Sequence, residues 1–179
     1  MTPNTKEITP QSTMQEVLEA YPSAQRAMFT RYHIGGCSSC GFQPTDTLEQ
    51  VLKSKNVLDI DEAIAHITAS QENDDKMQIS PQELAGLLKE GKVKLLDVRS
   101  KEEHQIVHME GDQLLADELV QEIKEKWSKD TAIVLYCHFG QRSLDAASYL
   151  IGHGFTQARS LRGGIDAWSK EIDSLTPTY

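Results

Sequence analysis

The sequence predicts an α/β protein that carries a smaller helical unit at its N-terminus. From residue 77 onward, short apolar runs alternate with amphipathic helical patterns, and this alternation is typical of a parallel sheet covered by helices on both faces. Upstream, the apolar residues recur with helical spacing only. The polar stretch 71–76 separates the two patterns. We therefore expect domains at 1–70 and 77–179, joined by a linker at 71–76.

Four helices are expected in the N-terminal domain. A capping-box pattern, Thr13 with Glu16, opens the first, and Pro22 stops it. The second is expected to end at 35–36, where two glycines stand. The helix starts are expected at Thr13, Ser23, Thr45 or Asp46, and Asp59 or Asp61. The side chains expected to face inward are Met14, Val17, Leu18, Tyr21, Ala24, Ala27, Met28, Leu48, Val51, Leu52, Ile64 and Ile67.

The C-terminal domain is expected to alternate strands and helices. Ser80 and Pro81 open the first helix, which runs through Lys89. Strands are expected at 93–97, 113–115, 132–136 and 158–161, and further helices at 117–127, at 142–153 and from residue 165. In such sheets, ligands bind beyond the carboxyl ends of the strands.

Composition indicates an enzyme of modest size in a reducing compartment. With 39% hydrophobic residues, the 179-residue chain can form a normal core. A formal net charge of −9 argues against nucleic acid or an anionic membrane as the main partner. The N-terminus lacks the apolar core of a signal peptide, and three cysteines do not form a disulfide scaffold. We therefore expect a cytoplasmic protein.

Cys137 is the candidate nucleophile. It ends the most apolar stretch of the chain, 132–136, and opens a glycine-bearing turn before a helical pattern. Backbone N–H groups of such a turn can point at the sulfur, Gly140 relieves the backbone, and Arg142 adds positive charge. These features favour a thiolate. The alternative is a buried cysteine that serves packing alone.

Three ordered motifs resemble the rhodanese family of sulfurtransferases. They extend over about 77–175. The motifs are Cys137, four residues, then Arg142-Ser143; Asp97-Val98-Arg99 followed by Glu102-Glu103-His104; and Gly163-Gly164-Ile165-Asp166-Ala167-Trp168. The resemblance implies a five-stranded parallel sheet with helices on both faces. It also implies that Cys137 takes sulfane sulfur from a donor and holds it as a persulfide.

The resemblance also assigns roles to the surrounding residues. Asp97 and Arg99 are expected to be structural residues near the site, with Arg99 paired to Glu102 or Glu103. The residues expected to bind substrate are His138, Phe139, Gly140, Gln141, Arg142 and Ser143. His104, His108 and His153 are expected at the surface or as supporting groups, and Trp168 in the core. Neither a metal nor an organic cofactor is expected.

Two segments depart from the family pattern. The family's Gly-His-Ile-Pro-Gly-Ala reads Val107-His108-Met109-Glu110-Gly111-Asp112 here, and His138 stands where good thiosulfate users often have arginine. Related phosphatases have five residues between the cysteine and the arginine, a wider loop that fits phosphate. This chain has four, which favours sulfur and disfavours phosphate or arsenate chemistry.

Cys37 and Cys40 form a second candidate site, between the second and third expected helices. Two cysteines three residues apart suit a reversible disulfide or half of a metal site. The surrounding pattern, over about 7–69, resembles small helical redox-disulfide domains associated with hybrid-cluster and iron–sulfur repair proteins. A redox or persulfide-relay dithiol, a metal site with His33 or His66, and inert loop cysteines all stay open.

The function predicted from the sequence is sulfur transfer through a Cys137 persulfide, with a possible relay to the Cys37/Cys40 dithiol. The expected partners are small sulfur donors such as thiosulfate or a persulfide, thiol acceptors, and an acceptor protein. Neither nucleic acid nor membrane is expected. The alternative is a non-catalytic module that binds a partner or senses redox state.

Overall fold

The computed structural model of the protein describes residues 7–35 and 41–177. The chain divides into two compact units that meet in sequence between Lys76 and Met77. Because the two units have separate cores, each is described by itself. The first is helical, and the second is an α/β unit.

The described part of the N-terminal unit contains α1 (Met14–Ala20), α2 (Ala24–Tyr32), α3 (Leu48–Ser54) and α4 (Ile60–Lys76). One apolar cluster fills the space between them. Of the side chains expected inward, Leu18 and Ile64 are partly buried, and the rest are buried: Met14, Val17, Tyr21, Ala24, Ala27, Met28, Leu48, Val51, Leu52 and Ile67. Helical periodicity therefore identified the core.

Two of the helix starts lie side by side. Thr13 caps α1 with Glu16, as expected, and Thr47 caps α3 with Gln50 in a second capping box. The expected cap at Thr45 or Asp46 is wrong, because Thr47 makes the capping bond and the Asp46 carboxylate accepts the backbone N–H of Gln43 instead. The backbone carbonyl of Asp46 accepts the N–H of Met14 across the two helix starts. An isolated antiparallel bridge joins the two capping threonines.

The other two helix starts differ from each other. Ser23 stands at the start of α2, but its hydroxyl makes no capping bond, and its backbone N–H is bonded instead by Gln71. Asp59, one of the two candidates for α4, accepts the N–H of Glu62 at 3.0 Å.

Residues 71–76, expected as a linker, are the last turns of α4. The Gln71 side chain accepts the backbone N–H of Ser23 at 3.1 Å, and Asp74 is buried and pairs with Arg26. These contacts tie the end of α4 to α2. The sequence predicted an irregular conformation because charged side chains are normally exposed. The prediction failed because the partner that buries Asp74 lies 48 residues away in the sequence.

The C-terminal unit is a five-stranded parallel sheet in the order β1-β5-β4-β2-β3. The strands are β1 (Gln78–Ile79), β2 (Lys94–Asp97), β3 (Gln113–Leu114), β4 (Ile133–Tyr136) and β5 (Ala158–Leu161). The helices are α5 (Pro81–Lys89), α6 (Lys101–Ile106), α7 (Asp117–Lys126), α8 (Gln141–Gly152) and α9 (Gly164–Glu171). This confirms the predicted fold class. Strand β1 has only two residues, too few to show a pattern in the sequence.

Neighbouring residues of the central strands pack on opposite faces of the sheet. Leu95 and Val134 join a cluster with residues of α5 and α9, including Trp168. Leu96 and Leu135 join a second cluster with residues of α7 and α8. Helices therefore cover both faces, and the carboxyl ends of β2 and β4 lie side by side. Among the described helices, none has the length and apolar character needed to cross a membrane.

Candidate active site

Cys137 lies immediately after β4, at the carboxyl end of the central strand. All four residues of β4 are buried, and Cys137 itself is 2% exposed. The chain then turns through Gly140, which has φ of +94° and precedes the first residue of α8. Glycine adopts this left-handed conformation without strain. The backbone can therefore turn here and bring the Gly140 N–H to the sulfur.

Two donors point at the sulfur of Cys137. The Gly140 backbone N–H donates to Sγ at 3.1 Å, and the Ser143 hydroxyl at 3.5 Å. The Ser143 hydroxyl also lies 2.8 Å from the hydroxyl of Ser160 on β5, and the Gly140 carbonyl lies 3.2 and 3.3 Å from these two hydroxyls. Each hydroxyl has one proton, so when Ser143 donates to the sulfur, Ser160 donates to Ser143 or to the Gly140 carbonyl. Both serines are buried. Sequence reasoning missed Ser160, although a serine in a buried strand is a visible signal.

The N-terminus of α9 holds the other side of the turn. The N–H groups of Ile165 and Asp166 donate to the carbonyls of Cys137 and His138, at 2.9 and 3.2 Å. Gly164 makes this approach possible, since a Cβ there would lie 2.3 Å from the Cys137 carbonyl oxygen. The close approach of the two backbones therefore explains why the third motif has a glycine at position 164.

Arg142 is paired with Glu103. Its guanidinium makes two hydrogen bonds to the carboxylate, at 2.8 and 2.7 Å. This bidentate contact with Arg142 lowers the pKa of Glu103 to about 2. The pair joins α6 to the first turn of α8 at the rim of the site, and the sequence did not reveal it.

The main partner of Arg99 is Asp97. Arg99 binds the Asp97 carboxylate at 2.7 Å and the Val107 carbonyl at 2.7 Å. Both side chains of this ion pair are fully buried. A buried pair with satisfied hydrogen bonds fixes the backbone beyond β2. Of the two partners expected from the sequence, Glu102 or Glu103, the charge of Arg99 acts on Glu103 and lowers the pKa of that carboxyl.

A polar network continues from Asp97 along the carboxyl ends of β2 and β4. The His104 Nδ1 lies 3.2 Å from the Asp97 carboxylate and 3.6 Å from that of Asp112. The Tyr136 hydroxyl donates to Asp112 and accepts the N–H of Met109. Burial raises the pKa values of Tyr136 and Asp112. This network lies beside the site and was missed by the sequence analysis.

The remaining loop residues form the outer surface of the turn. The His138 and Phe139 rings are stacked with centroids 4.0 Å apart, and Phe139 is 64% exposed. Gln141 is exposed at the start of α8. Of the predicted binding residues, Gly140 and Ser143 contact the sulfur. Phe139, Gln141 and Arg142 are exposed, and His138 is partly exposed.

Cys37 and Cys40 lie outside the described residues. Of the two histidines considered as ligands with them, His33 follows α2 in the left-handed conformation. The ring of His66 bonds the Ala27 carbonyl and the Arg31 side chain, at 3.3 and 3.4 Å. The open interpretations of this dithiol therefore rest on the sequence.

The geometry around Cys137 suits a sulfur nucleophile. Preorganised N–H and O–H donors stabilise negative charge on the cysteine sulfur and on any sulfur bonded to it. The start of α8 adds the positive end of a twelve-residue helix. A turn with four residues between Cys137 and Arg142 leaves a small cradle.

Comparison with known proteins finds relatives among sulfurtransferases. A model of the rhodanese-like domain matches residues 80–171, just over half of the chain. The adenylyltransferase and sulfurtransferase UBA4 of Candida albicans is 31% identical over 89% of this chain and 38% of its own length. The probable adenylyltransferase/sulfurtransferase MoeZ of Mycobacterium tuberculosis is 41% identical over 52% of this chain and 25% of its own length. The chain thus spans well under half of these two relatives.

Smaller proteins match the C-terminal unit over most of their length. The thiosulfate sulfurtransferase GlpE of Pseudomonas fluorescens is 30% identical over 55% of this chain and 90% of its own length. Among solved structures, the human single-domain sulfurtransferase TSTD1 is 27% identical, covering 53% of this chain and 96% of that chain with a TM-score of 0.47.

Proposed function

Because this chain belongs to the rhodanese-like domain family, we propose that it is a sulfurtransferase that carries sulfane sulfur on Cys137. The thiolate attacks the sulfane sulfur of a donor and forms an S–S bond, while the donor's S–S bond breaks and its electron pair leaves with the donor fragment. With thiosulfate, that fragment is sulfite. A thiophilic acceptor then attacks the outer sulfur, and the Cys137 thiolate leaves.

The observation that carries this proposal is the pair of donors on the sulfur. Gly140 N–H and Ser143 O–H both point at Cys137 Sγ, at 3.1 and 3.5 Å. Such donors stabilise the thiolate before attack and the persulfide anion after it, so both steps gain from the same groups. A cysteine that served packing alone would not need them.

The donors we propose are thiosulfate or a small persulfide. Support comes from the name of the similar GlpE protein, a thiosulfate sulfurtransferase. The charge of Arg142 also affects which of these two donors binds better, because Glu103 neutralises Arg142 in part. A dianionic donor therefore meets less positive charge than a free arginine would supply, which favours a persulfide monoanion in competition.

We further propose that Cys37 and Cys40 receive the sulfur. One thiolate would take the outer sulfur of the Cys137 persulfide, and the other would attack the first, expelling sulfide and closing a disulfide. The two electrons that reduce the sulfane sulfur come from the dithiol. The cytoplasmic location expected from the composition supplies the reducing conditions that return the dithiol.

Intact mass spectrometry tests the central step. After incubation with thiosulfate, we expect the full chain carrying Cys37→Ser and Cys40→Ser, which cannot discharge the sulfur through the proposed relay, to gain about 32 Da, the mass of one sulfur, mapped by peptide analysis to Cys137. Cys137→Ser should gain nothing there, and circular dichroism should show an unchanged fold, because serine replaces cysteine at nearly constant size. A sulfur adduct absent from Cys137 with thiosulfate and with a low-molecular-weight persulfide would contradict the proposal.

A further inference from the structure

Two histidines and one aspartate lie together beside the candidate active site without a part in the proposed reaction. His104 is in the last turn of α6, His108 follows this helix, and Asp112 precedes β3. Each offers one ligand atom, and these atoms lie within 4.8 Å of one another. We propose that His104, His108 and Asp112 bind a zinc ion. The sequence analysis expected no metal and placed both histidines as surface or supporting groups.

The distances come close to those of a tetrahedral zinc site. The His104 Nδ1 and the Asp112 carboxylate are 3.6 Å apart, and two ligand atoms each about 2.0–2.1 Å from one tetrahedral ion are separated by roughly 3.4 Å. The His104 and His108 rings have centroids 4.3 Å apart. His108 is exposed, so an ion can reach this cluster from solvent.

The hydrogen bonding of His108 leaves one ring nitrogen for a metal. Its Nδ1 lies 3.0 Å from the backbone carbonyl of His104. A carbonyl only accepts hydrogen bonds, so Nδ1 carries the proton. The neutral ring then has its lone pair on Nε2, which is the form that binds zinc.

The charges around the cluster favour a cation. The side chains of Asp97 and Asp112 are both almost fully buried, and both carboxylates face His104. Asp97 is neutralised by Arg99, whereas the partners of Asp112 among the described residues are the Tyr136 hydroxyl and the His104 ring.

Zinc would place a positive charge between these side chains. Tyr136, which donates to Asp112, would orient the carboxylate ligand. Two imidazoles and one carboxylate form a donor set that zinc prefers, with a fourth position for water. Asp112 also lies in the segment where this chain departs from its family pattern, at a position that is alanine in that pattern.

The test uses the full chain with its three cysteines changed to serine, Cys37→Ser/Cys40→Ser/Cys137→Ser, because thiolates bind zinc themselves. Calorimetric titration with zinc chloride should show one ion per chain. Titration with Co²⁺ should give visible absorption bands of a four- or five-coordinate nitrogen and oxygen site. His108→Gln should weaken binding of both ions at least tenfold, since even residues that only support a ligand contribute 10- to 100-fold.

His153→Gln is the matched control. His153 is also exposed, and its Nδ1 lies 2.8 Å from the carbonyl four residues before it, as in His108. We expect this variant to bind zinc unchanged. Absence of zinc binding in the cysteine-free chain, or equal affinities of the His108→Gln and His153→Gln variants, would overturn the proposal.

A second measurement covers the case in which the cysteine-free chain fails to fold. In the otherwise unchanged protein, the bound zinc after equilibrium dialysis should fall by one ion per chain in His108→Gln and stay constant in His153→Gln. An equal zinc content in both would overturn the proposal. No step of the proposed sulfur transfer uses this ion, so the two proposals succeed or fail separately.

Discussion

At the scale of single residues, Ser143 connects the reacting sulfur to the sheet. Its hydroxyl contacts Cys137 Sγ, the Gly140 carbonyl and Ser160. We expect Ser143→Ala to slow persulfide formation from thiosulfate about three- to tenfold, since one hydrogen bond to the sulfur contributes roughly 0.5–1.5 kcal/mol. The rate is measured by quenched-flow mass spectrometry of the Cys137 adduct.

Ser160→Ala is the control for that variant. It removes the same 2.8 Å bond between the two hydroxyls but leaves the contact between Ser143 and the sulfur. Both variants should lose similar stability, about 1 kcal/mol, whereas only Ser143→Ala should slow the reaction. Equal slowing in both would mean that Ser143 acts through packing.

Glu103 controls the charge of the entrance through Arg142. Glu103→Gln keeps a residue that can complete the capping box of α6 with Ser100 but removes the negative charge beside the guanidinium. We expect the KM for thiosulfate to fall about fivefold, because a unit charge about 4 Å from another contributes roughly 1 kcal/mol in the dielectric of water. Glu102→Gln, an exposed neighbour, should leave the KM unchanged. A KM equal in both variants would rule out this role.

The Arg142–Glu103 pair makes the stability of the protein depend on pH. The Arg142 guanidinium lowers the pKa of Glu103 to about 2, below the ~4.3 of an unfolded glutamate. The stabilisation is therefore complete above about pH 4.3 and is lost as the pH falls toward 2. Because the side chains of Arg142 and Glu103 are 51% and 24% exposed, we expect it to reach at most about 1 kcal/mol. Urea unfolding should show a difference between the protein and Glu103→Gln at pH 6 that shrinks at pH 3.

At the scale of elements, the contact between the Cys137 turn and α9 depends on Gly164. A Cβ there would lie 2.3 Å from the Cys137 carbonyl oxygen and 2.4 Å from that of His138. We expect Gly164→Ala to cost about 3 kcal/mol or more and to abolish sulfur transfer, because backbone atoms cannot move aside cheaply. Thermal unfolding and thiosulfate turnover measure the two effects.

Gly91→Ala separates this clash from backbone strain. Gly91 has φ of +63°, against +61° for Gly164, but a Cβ on it would meet nothing within 4 Å. The variant should therefore lose only the strain of a left-handed alanine, about 1 kcal/mol, and keep its activity. If the two variants lose equal stability, the close approach of α9 to the turn does not matter.

At the scale of the whole molecule, the proposed relay links the dithiol of one unit to the active site of the other. Protein loaded with sulfur on Cys137 and left without reductant should release one sulfide per chain and form a Cys37–Cys40 disulfide. Cys37→Ser and Cys40→Ser should release none, while transfer from thiosulfate to cyanide, which needs only Cys137, should continue. Equal sulfide release from the two variants and the unchanged protein would exclude the relay.

Much of the α/β unit was predictable because its signals are local. Capping boxes, apolar runs and the four-residue spacing from Cys137 to Arg142 are each contained in a few consecutive residues. The expected strands at 93–97 and 158–161 correspond to β2 and β5. The expected linker at 71–76 was wrong because its conformation depends on a contact between distant residues: the partner of Asp74 is Arg26, far away in the sequence.

The sequence by itself determined the alternation of strands and helices in the C-terminal unit, apart from the two-residue strand β1, and placed Cys137 at the carboxyl end of a buried strand. Only the tertiary structure decided which side chains meet there. Glu103 pairs with Arg142 across 39 residues, and Ser143 bonds Ser160 across 17. The parallel order β5-β4-β2 brings these partners together. Local periodicity reports which face a residue occupies, whereas its partner depends on which strands become neighbours, and that is set by the packing of the whole sheet.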